Sequence, residues 1–180
     1  MKSQIRTVPH RRRRENKTNY KTRLALLKSG EHRIVVRKTL KHIIVQITKY
    51  EPKGDKVLFT ISSSELKKLG WKYSTSNIPS AYLVGLLAGK KAQENKIKKG
   101  ILDLGVSFSV KGSRLYATLK GLIDSGLEIP SSEDNFPNEE RISGKHIADY
   151  KKNEINKDFE ELKKKILVWL KWLKKKKNYL

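Results

Sequence analysis

The chain has 180 residues, and its 41 Lys and Arg against 18 Asp and Glu give a formal net charge of +23 at pH 7. This imbalance predicts a polyanionic partner, either a nucleic acid or an anionic membrane surface. No stretch of about 18 apolar residues exists to span a bilayer, and the absence of cysteine excludes disulfides and thiolate metal sites.

Residues 1–23 are predicted to form a basic arm that is disordered when free, because apolar residues are too few to build a core. Glu15 is the only acid in this arm. The run Arg11–Arg14 is its strongest feature, since guanidinium groups bind phosphate oxygens with two donors and each contact releases counterions. A solvated tail or a localisation signal is the alternative. We favour nucleic-acid binding because the excess of positive charge extends beyond this run.

Residues 24–130 are predicted to form an α/β core domain. A short helix is expected to begin near Thr18 and to end at Gly30. Three short β-branched runs close to one another then predict an antiparallel meander. These runs are Arg33–Arg37, Ile43–Ile47 and Lys56–Ile61.

A helical pattern follows, with Asn77 as its cap, and Gly85 and Gly89 on one face suggest close packing on the sheet. Ile101–Gly105 is predicted as a buried strand, and Ser113 as the cap of another helix that must stop by Pro130. The order of elements predicts a mixed sheet, made of the meander plus a further strand, with helices on its faces.

Residues 131–180 are predicted to form an irregular segment and a C-terminal helical extension. Its amphipathic pattern comprises Ile155, Phe159, Leu162, Ile166, Trp169 and Leu173. The Trp- and Lys-rich end, Trp169–Lys177, is typical of a membrane-surface or partner-docking helix. We favour packing onto the helix's own domain, with the final lysines in solvent or on RNA.

Two further groups of residues are candidates for RNA contact. The loop Arg37–His42 is rich in basic residues and joins two strands, so it is expected to contact phosphate unless it is an ordinary exposed hairpin. Tyr20 lies inside the basic arm and is expected to stack on an unpaired base. For Trp71 and Tyr73, packing over the rim of the sheet is at least as good an interpretation.

Catalytic patterns are weak in this sequence. The segment Gly85–Lys91 fails as a phosphate loop, because its glycines are one residue too close and Lys91 replaces the required Ser or Thr. The histidines show no metal-ligand spacing. A nuclease would need Asp103 to meet further carboxylates, with Asp55 and Asp124 as candidates. A turn role for Asp55 and a surface role for Asp124 are favoured instead, so neither enzyme activity nor a cofactor is expected.

Several collinear motifs between residues 9 and 150 carry a family resemblance. They are Arg11–Glu15, Thr18–Tyr20, Leu27–Gly30, Arg33–Lys38, Lys41–Ile43, Asn77–Leu83, Gly85–Ala88, Asp124–Pro130 and Gly144–Tyr150. In order and spacing they resemble archaeal large-subunit ribosomal protein eighteen and its eukaryotic counterpart, which binds 5S rRNA. Two departures stand out: Thr39-Leu40 occupies the place of the family's usual Ser-Asn, and the tail after Tyr150 matches only weakly.

The resemblance implies a mixed α/β domain in the central protuberance of the cytoplasmic large ribosomal subunit. It also implies 5S rRNA, 23S rRNA and neighbouring large-subunit proteins as partners, with no membrane and no small-molecule substrate. Carried over by position, the residues that would face 5S rRNA are Arg11, Arg12, Arg13, Arg14, Lys17, Tyr20, Lys21, Arg23, Arg37, Lys38, Lys41 and His42.

Overall fold

The computed structural model describes residues 8–152 and 154–177, with side chains up to residue 168. Its strands are β1 (Arg33–Lys38), β2 (Ile43–Lys49), β3 (Lys56–Ser62) and β4 (Ile101–Asp103). Its helices are α1 (Arg11–Arg14), α2 (Tyr20–Leu27), α3 (Glu65–Lys68), α4 (Ile78–Glu94), α5 (Arg114–Asp124), α6 (Glu139–Ser143), α7 (Lys145–Lys151) and α8 (Ile155–Lys177), with a 3₁₀ turn at Glu133–Asn135.

The predicted α/β class and mixed sheet are confirmed. The strand order is β3-β2-β1-β4, in which β2 pairs antiparallel with both β1 and β3, and β4 pairs parallel with β1. Side chains alternate between the two faces of each strand. Ile34 and Val36 of β1 and Val45 of β2 are fully buried in the core with α4 and α5. The opposite face therefore remains available to polar side chains.

The predicted partner of Gly85 and Gly89 is wrong, because these glycines of α4 face α5 and not the sheet. A Cβ atom at Gly85 would lie 2.1 Å from the carbonyl oxygen of Thr118. A Cβ atom at Gly121 of α5 would lie 2.2 Å from the carbonyl oxygen of Tyr82. The two helices thus touch through their backbones, which only glycine permits.

The helix ends follow local chemistry closely. The Asn77 side chain accepts a hydrogen bond from the backbone N–H of Ser80 at 2.9 Å, as predicted for a cap. The first helix of the core begins at Tyr20 and not at Thr18, because Asn19 caps it through the N–H of Thr22. Ser113 occupies the N-cap position of α5, but its side chain makes no capping hydrogen bond.

The C-terminal part contains more helix than predicted. The segment expected to be irregular includes α6, and Gly144 then adopts a left-handed conformation (φ +83°) between α6 and α7. The amphipathic helix is confirmed as α8, with Ile155, Phe159, Leu162 and Ile166 buried in the main core. Packing onto its own domain is therefore confirmed as far as Ile166, while the side chains of Trp169–Lys177 lie outside the described ones.

Tyr82 joins α4 to α5, and its ionisation makes the free energy of unfolding depend on pH in the alkaline range. Its hydroxyl donates to Asp124 Oδ2 at 2.9 Å. Burial, and secondly this hydrogen bond, raise the pKa of Tyr82 above its ordinary value of 10.0. The unfolded phenol ionises near that value while the folded one keeps its proton. The contribution is therefore complete below about pH 10 and is lost as pH rises further.

Replacing Tyr82 by phenylalanine is expected to remove about 1 kcal/mol of stability at neutral pH through the lost hydrogen bond. Above about pH 10, the difference between the two proteins should shrink. Urea unfolding followed by circular dichroism from about pH 8 to about pH 11 measures both effects. A constant difference across this range would contradict the assignment of this titration to Tyr82.

Candidate nucleic-acid interface

A polar groove lies between the basic arm and the face of the sheet opposite the core. We call it the arm groove. It is lined by Arg12, Lys17, Thr18, Asn19, Thr22, Arg23, Arg33, Val35, Arg37, Gln46, Thr48, Asp55, Val57, Asp103 and Gly105. Alternation along β1 explains why Arg33, Val35 and Arg37 share this face. Of the predicted RNA-binding residues, the structure brings Arg12, Lys17, Arg23 and Arg37 together here.

The arm is folded in the structure, where the sequence predicted disorder for the free arm. Residues 1–7 of the predicted arm lie outside the described residues. Arg12 Nε donates to Thr18 Oγ1 at 2.9 Å, and the backbone N–H of Lys17 donates to the Arg12 carbonyl at 2.9 Å. No residue of α1 is buried. The order of this segment therefore rests on short-range polar contacts, which composition does not reveal.

Glu15 neutralises part of the arm's charge. Its carboxylate contacts Arg11 Nε and Lys17 Nζ, each at 2.7 Å. The hydrogen bond from Arg11, followed by that from Lys17, lowers the pKa of Glu15. Arg13 and Arg14 are exposed and form no ion pair with any described residue. These two arginines are therefore the more available phosphate donors of the run.

Helix α2 presents further predicted residues without burying any side chain. Tyr20 is 41% exposed, and its ring lies edge-on to His10 with the centroids 5.7 Å apart. Lys21 is exposed. Arg23 differs, because its Nη1 and Nη2 atoms both contact the carboxylate of Asp55, each at 2.9 Å.

The floor of the arm groove is a network of charged side chains centred on Arg33, which is 4% exposed. Its Nη1 donates to Asp103 Oδ2 at 3.0 Å, and its Nη2 contacts Asp55. Asp103 also accepts the backbone N–H of Gly105 at 2.8 Å. Sequence reasoning missed this network. The available signal was a charged residue opening a buried strand, since such charges are almost always paired.

The loop between β1 and β2 is a tight, exposed hairpin. Lys38 and Lys41 are exposed, and Leu40 at the tip is 94% exposed. Thr39 closes the turn, because its Oγ1 accepts the His42 N–H at 2.9 Å and its own N–H donates to the His42 carbonyl at 2.8 Å. The departure from the family's Ser-Asn thus leaves a residue that fixes the loop, followed by one that points outward.

His42 anchors this hairpin. Its Nδ1 lies 3.2 Å from Thr75 Oγ1 and 3.3 Å from Ser63 Oγ. Thr75 Oγ1 also donates to the Lys41 carbonyl at 2.8 Å. Through these contacts His42 holds the loop while Lys38 and Lys41 extend from it.

The arrangement of acids differs from what a nuclease requires. Asp103 and Asp55 converge, but on the Arg33 guanidinium, while Asp124 contacts Tyr82 and Lys120 elsewhere. Over the described ranges, no three His, Asp or Glu side chains cluster in a way that could hold a metal ion. A membrane-spanning helix is also missing from this part of the chain.

Trp71 is packed in the core and not free to stack, which agrees with one of the two interpretations that the sequence left open. Its side chain is 2% exposed, and its Nε1 donates to the Ser74 carbonyl at 3.0 Å. The Tyr73 ring packs against it, with centroids 5.1 Å apart. Since Trp71 belongs to the core, it is not available for stacking on a base.

Comparison with known proteins identifies what this fold is similar to. Residues 6–99 match the family described as ribosomal large subunit proteins 60S L5 and 50S L18. The large ribosomal subunit protein uL18 of Methanothrix thermoacetophila is 46% identical over 160 residues, which cover 89% of this chain and 95% of that protein. The matched range contains the described part of the arm, the strands β1–β3 and the hairpin between β1 and β2.

Proposed function

The chain belongs to the family of ribosomal large subunit proteins 60S L5 and 50S L18, and from that premise we propose that it binds 5S rRNA and attaches it to 23S rRNA in the central protuberance. Membership makes it an rRNA-binding constituent of the large subunit of cytoplasmic ribosomes. This family is not a class of enzymes, and the proposed role of the chain is to bind an RNA and hold it in place within the subunit. Neighbouring large-subunit proteins complete the proposed set of partners.

The observation that carries the proposal is the convergence of arm and sheet. Arg12, Lys17 and Arg37 line one open groove although they come from separate segments. Arg13 and Arg14 extend the same basic surface along the arm, and Lys38 and Lys41 extend from the hairpin. A broad surface of this kind suits a folded RNA, whose phosphates lie at many angles and whose shape selects the partner.

The proposed roles of the residues differ with their surroundings. Exposed Arg13, Arg14, Lys38 and Lys41 contact phosphates, since their donors are unengaged by described residues. Tyr20 stacks on an unpaired base through its exposed face. Arg11 and Lys17 share Glu15 and exchange it for phosphate when RNA arrives.

A salt titration of binding to 5S rRNA, against a scrambled RNA of equal length, tests the proposal. Six to ten phosphate contacts would weaken binding roughly 10³- to 10⁵-fold between about 50 and 200 mM salt. A preference for 5S rRNA that persists at physiological salt is the expected result. Equal affinity for both RNAs would contradict 5S recognition and reduce the protein to a general polyanion binder.

Replacing Arg13 by glutamine tests a single phosphate contact. The slope of log affinity against log salt concentration should become shallower by about one unit, because one phosphate fewer is neutralised and fewer counterions are released. Lys67→Gln is the matched control, since Lys67 is an exposed cation on α3, outside the arm groove. A slope that falls equally for both variants would show that the effect is one of overall charge.

A further inference from the structure

We infer that Asp55 is a positioning residue for RNA binding. Its contact with Arg23, which we call the clamp, holds α2 over the sheet. Arg23 was expected to contact phosphate, but both of its terminal nitrogens are engaged by the Asp55 carboxylate. A guanidinium that donates two parallel hydrogen bonds to one carboxylate has that edge of its plane occupied. The effect of the clamp on RNA binding rests on the proposed function, whereas the clamp itself is a contact within the protein alone.

Helix α2 needs such a clamp. It has eight residues, none of them buried, and Leu24 on its surface is 59% exposed. An isolated helix of this length is marginal in water. Within the described part of the chain, the two contacts from Arg23 to the Asp55 carboxylate are the only side-chain hydrogen bonds or ion pairs that join α2 to the sheet and its turns.

Asp55 is well suited to hold the clamp. It ends the turn between β2 and β3, and its Oδ2 contacts the buried guanidinium of Arg33 as well as Arg23. Arg33 is in turn fixed by Asp103 at 3.0 Å. Arg33 therefore fixes the position of the Asp55 carboxylate independently of α2. The carboxylate in turn fixes the position of Arg23, and with it α2, relative to the sheet.

The position of α2 determines the shape of the arm groove. Thr22 and Arg23 of α2 line the groove together with Lys17, which precedes the helix, and Arg37 of β1. If α2 detaches, the same charges remain on the chain but lose their fixed spacing. Binding to a particular folded RNA then carries an added ordering cost, whereas binding to any polyanion changes little.

The direction in which Asp55→Ala changes the affinity for RNA distinguishes the clamp from simple electrostatics. Asp55→Ala removes a negative charge from a chain of net charge +23, so simple electrostatics predicts tighter binding to RNA. The clamp predicts the opposite for 5S rRNA, with about tenfold weaker binding. Glu51→Ala is the matched control, because Glu51 is an exposed acid in the same turn and forms no ion pair with a described residue.

Arg23→Gln is the second variant, and it leaves both carboxylate partners of Arg33 in place. It should weaken 5S binding as much as Asp55→Ala does, and the double variant should be no worse than either single one. The salt slope should stay unchanged for Arg23→Gln. A slope lower by about one unit would make Arg23 a phosphate contact and overturn the clamp.

Hydrogen exchange of the α2 amides in the free protein separates this inference from the proposed function. Asp55→Ala and Arg23→Gln should each speed exchange in α2 about tenfold, while Glu51→Ala should not. Unchanged exchange in both variants would overturn the inference even if 5S rRNA is bound. Faster exchange, together with equal affinity of the wild type for 5S and scrambled RNA, would uphold the clamp and reject the proposed function.

Discussion

Replacing Gly121 by alanine is expected to destabilise the protein by about 3 kcal/mol or more, although alanine is the better helix former. A Cβ atom at this position would lie 2.2 Å from the Tyr82 carbonyl oxygen and 2.8 Å from the Leu86 amide nitrogen. Both are backbone atoms, so relief requires α4 and α5 to move apart. The intrinsic gain of about 1 kcal/mol for Gly→Ala in a helix is too small to offset this.

Gly89 offers a matched comparison on the facing helix. A Cβ atom there would meet the side chain of Ser125, with its Oγ at 1.7 Å. Gly89→Ala should therefore be destabilising alone and should recover much of its loss when combined with Ser125→Gly. Urea unfolding followed by circular dichroism measures each variant. A loss below about 1 kcal/mol for Gly121→Ala would mean that the helices separate easily, contrary to a tightly packed interface.

The sequence predicted the elements that depend on local chemistry. The strands β1–β3 were recognisable because β-branched residues cluster in short runs, and their antiparallel pairing followed from the short connections between them. Asn77 was recognisable as a cap because its side chain bonds a backbone N–H only three residues away. These signals involve neighbours in the sequence, so one chain suffices to detect them.

The contacts that shape the candidate site join distant residues and were not predictable in this way. Arg33 and Asp103 are 70 positions apart, and Arg23 and Asp55 are 32 apart. Each residue has an ordinary local interpretation, as a strand charge or a turn carboxylate. The glycines of α4 showed that something packs closely, but periodicity could not distinguish α5 from the sheet.

The short helices of the C-terminal part were missed for a different reason. In α6 only Ile142 is buried, and in α7 no residue is. With so little apolar periodicity, the Pro, Ser and Asn residues around them dominated the pattern. The longer α8 was predictable because its buried residues recur over several turns.

Replacing Arg33 by methionine is expected to have the largest effect of any single change in the arm groove, with a loss of about 3–5 kcal/mol in the free energy of unfolding. Methionine fills similar space but leaves two carboxylates without their shared cation. Asp103 is 8% exposed and cannot regain full hydration in the fold. The cost is that of an uncompensated buried charge, which exceeds what an exposed ion pair contributes.

Arg37→Met is the control that isolates this cost, because Arg37 lies four residues further on the same strand and face but is exposed. Its unfolding free energy should change by no more than about 0.5 kcal/mol, while its affinity for 5S rRNA falls. Arg33→Met is expected to lose both stability and the ordered arm, since Asp55 then lacks the partner that fixes it beneath Arg23. Equal stability losses at the two positions would mean that water reaches Asp103 and Asp55. In that case Arg33 could not be the link through which the sheet holds the arm.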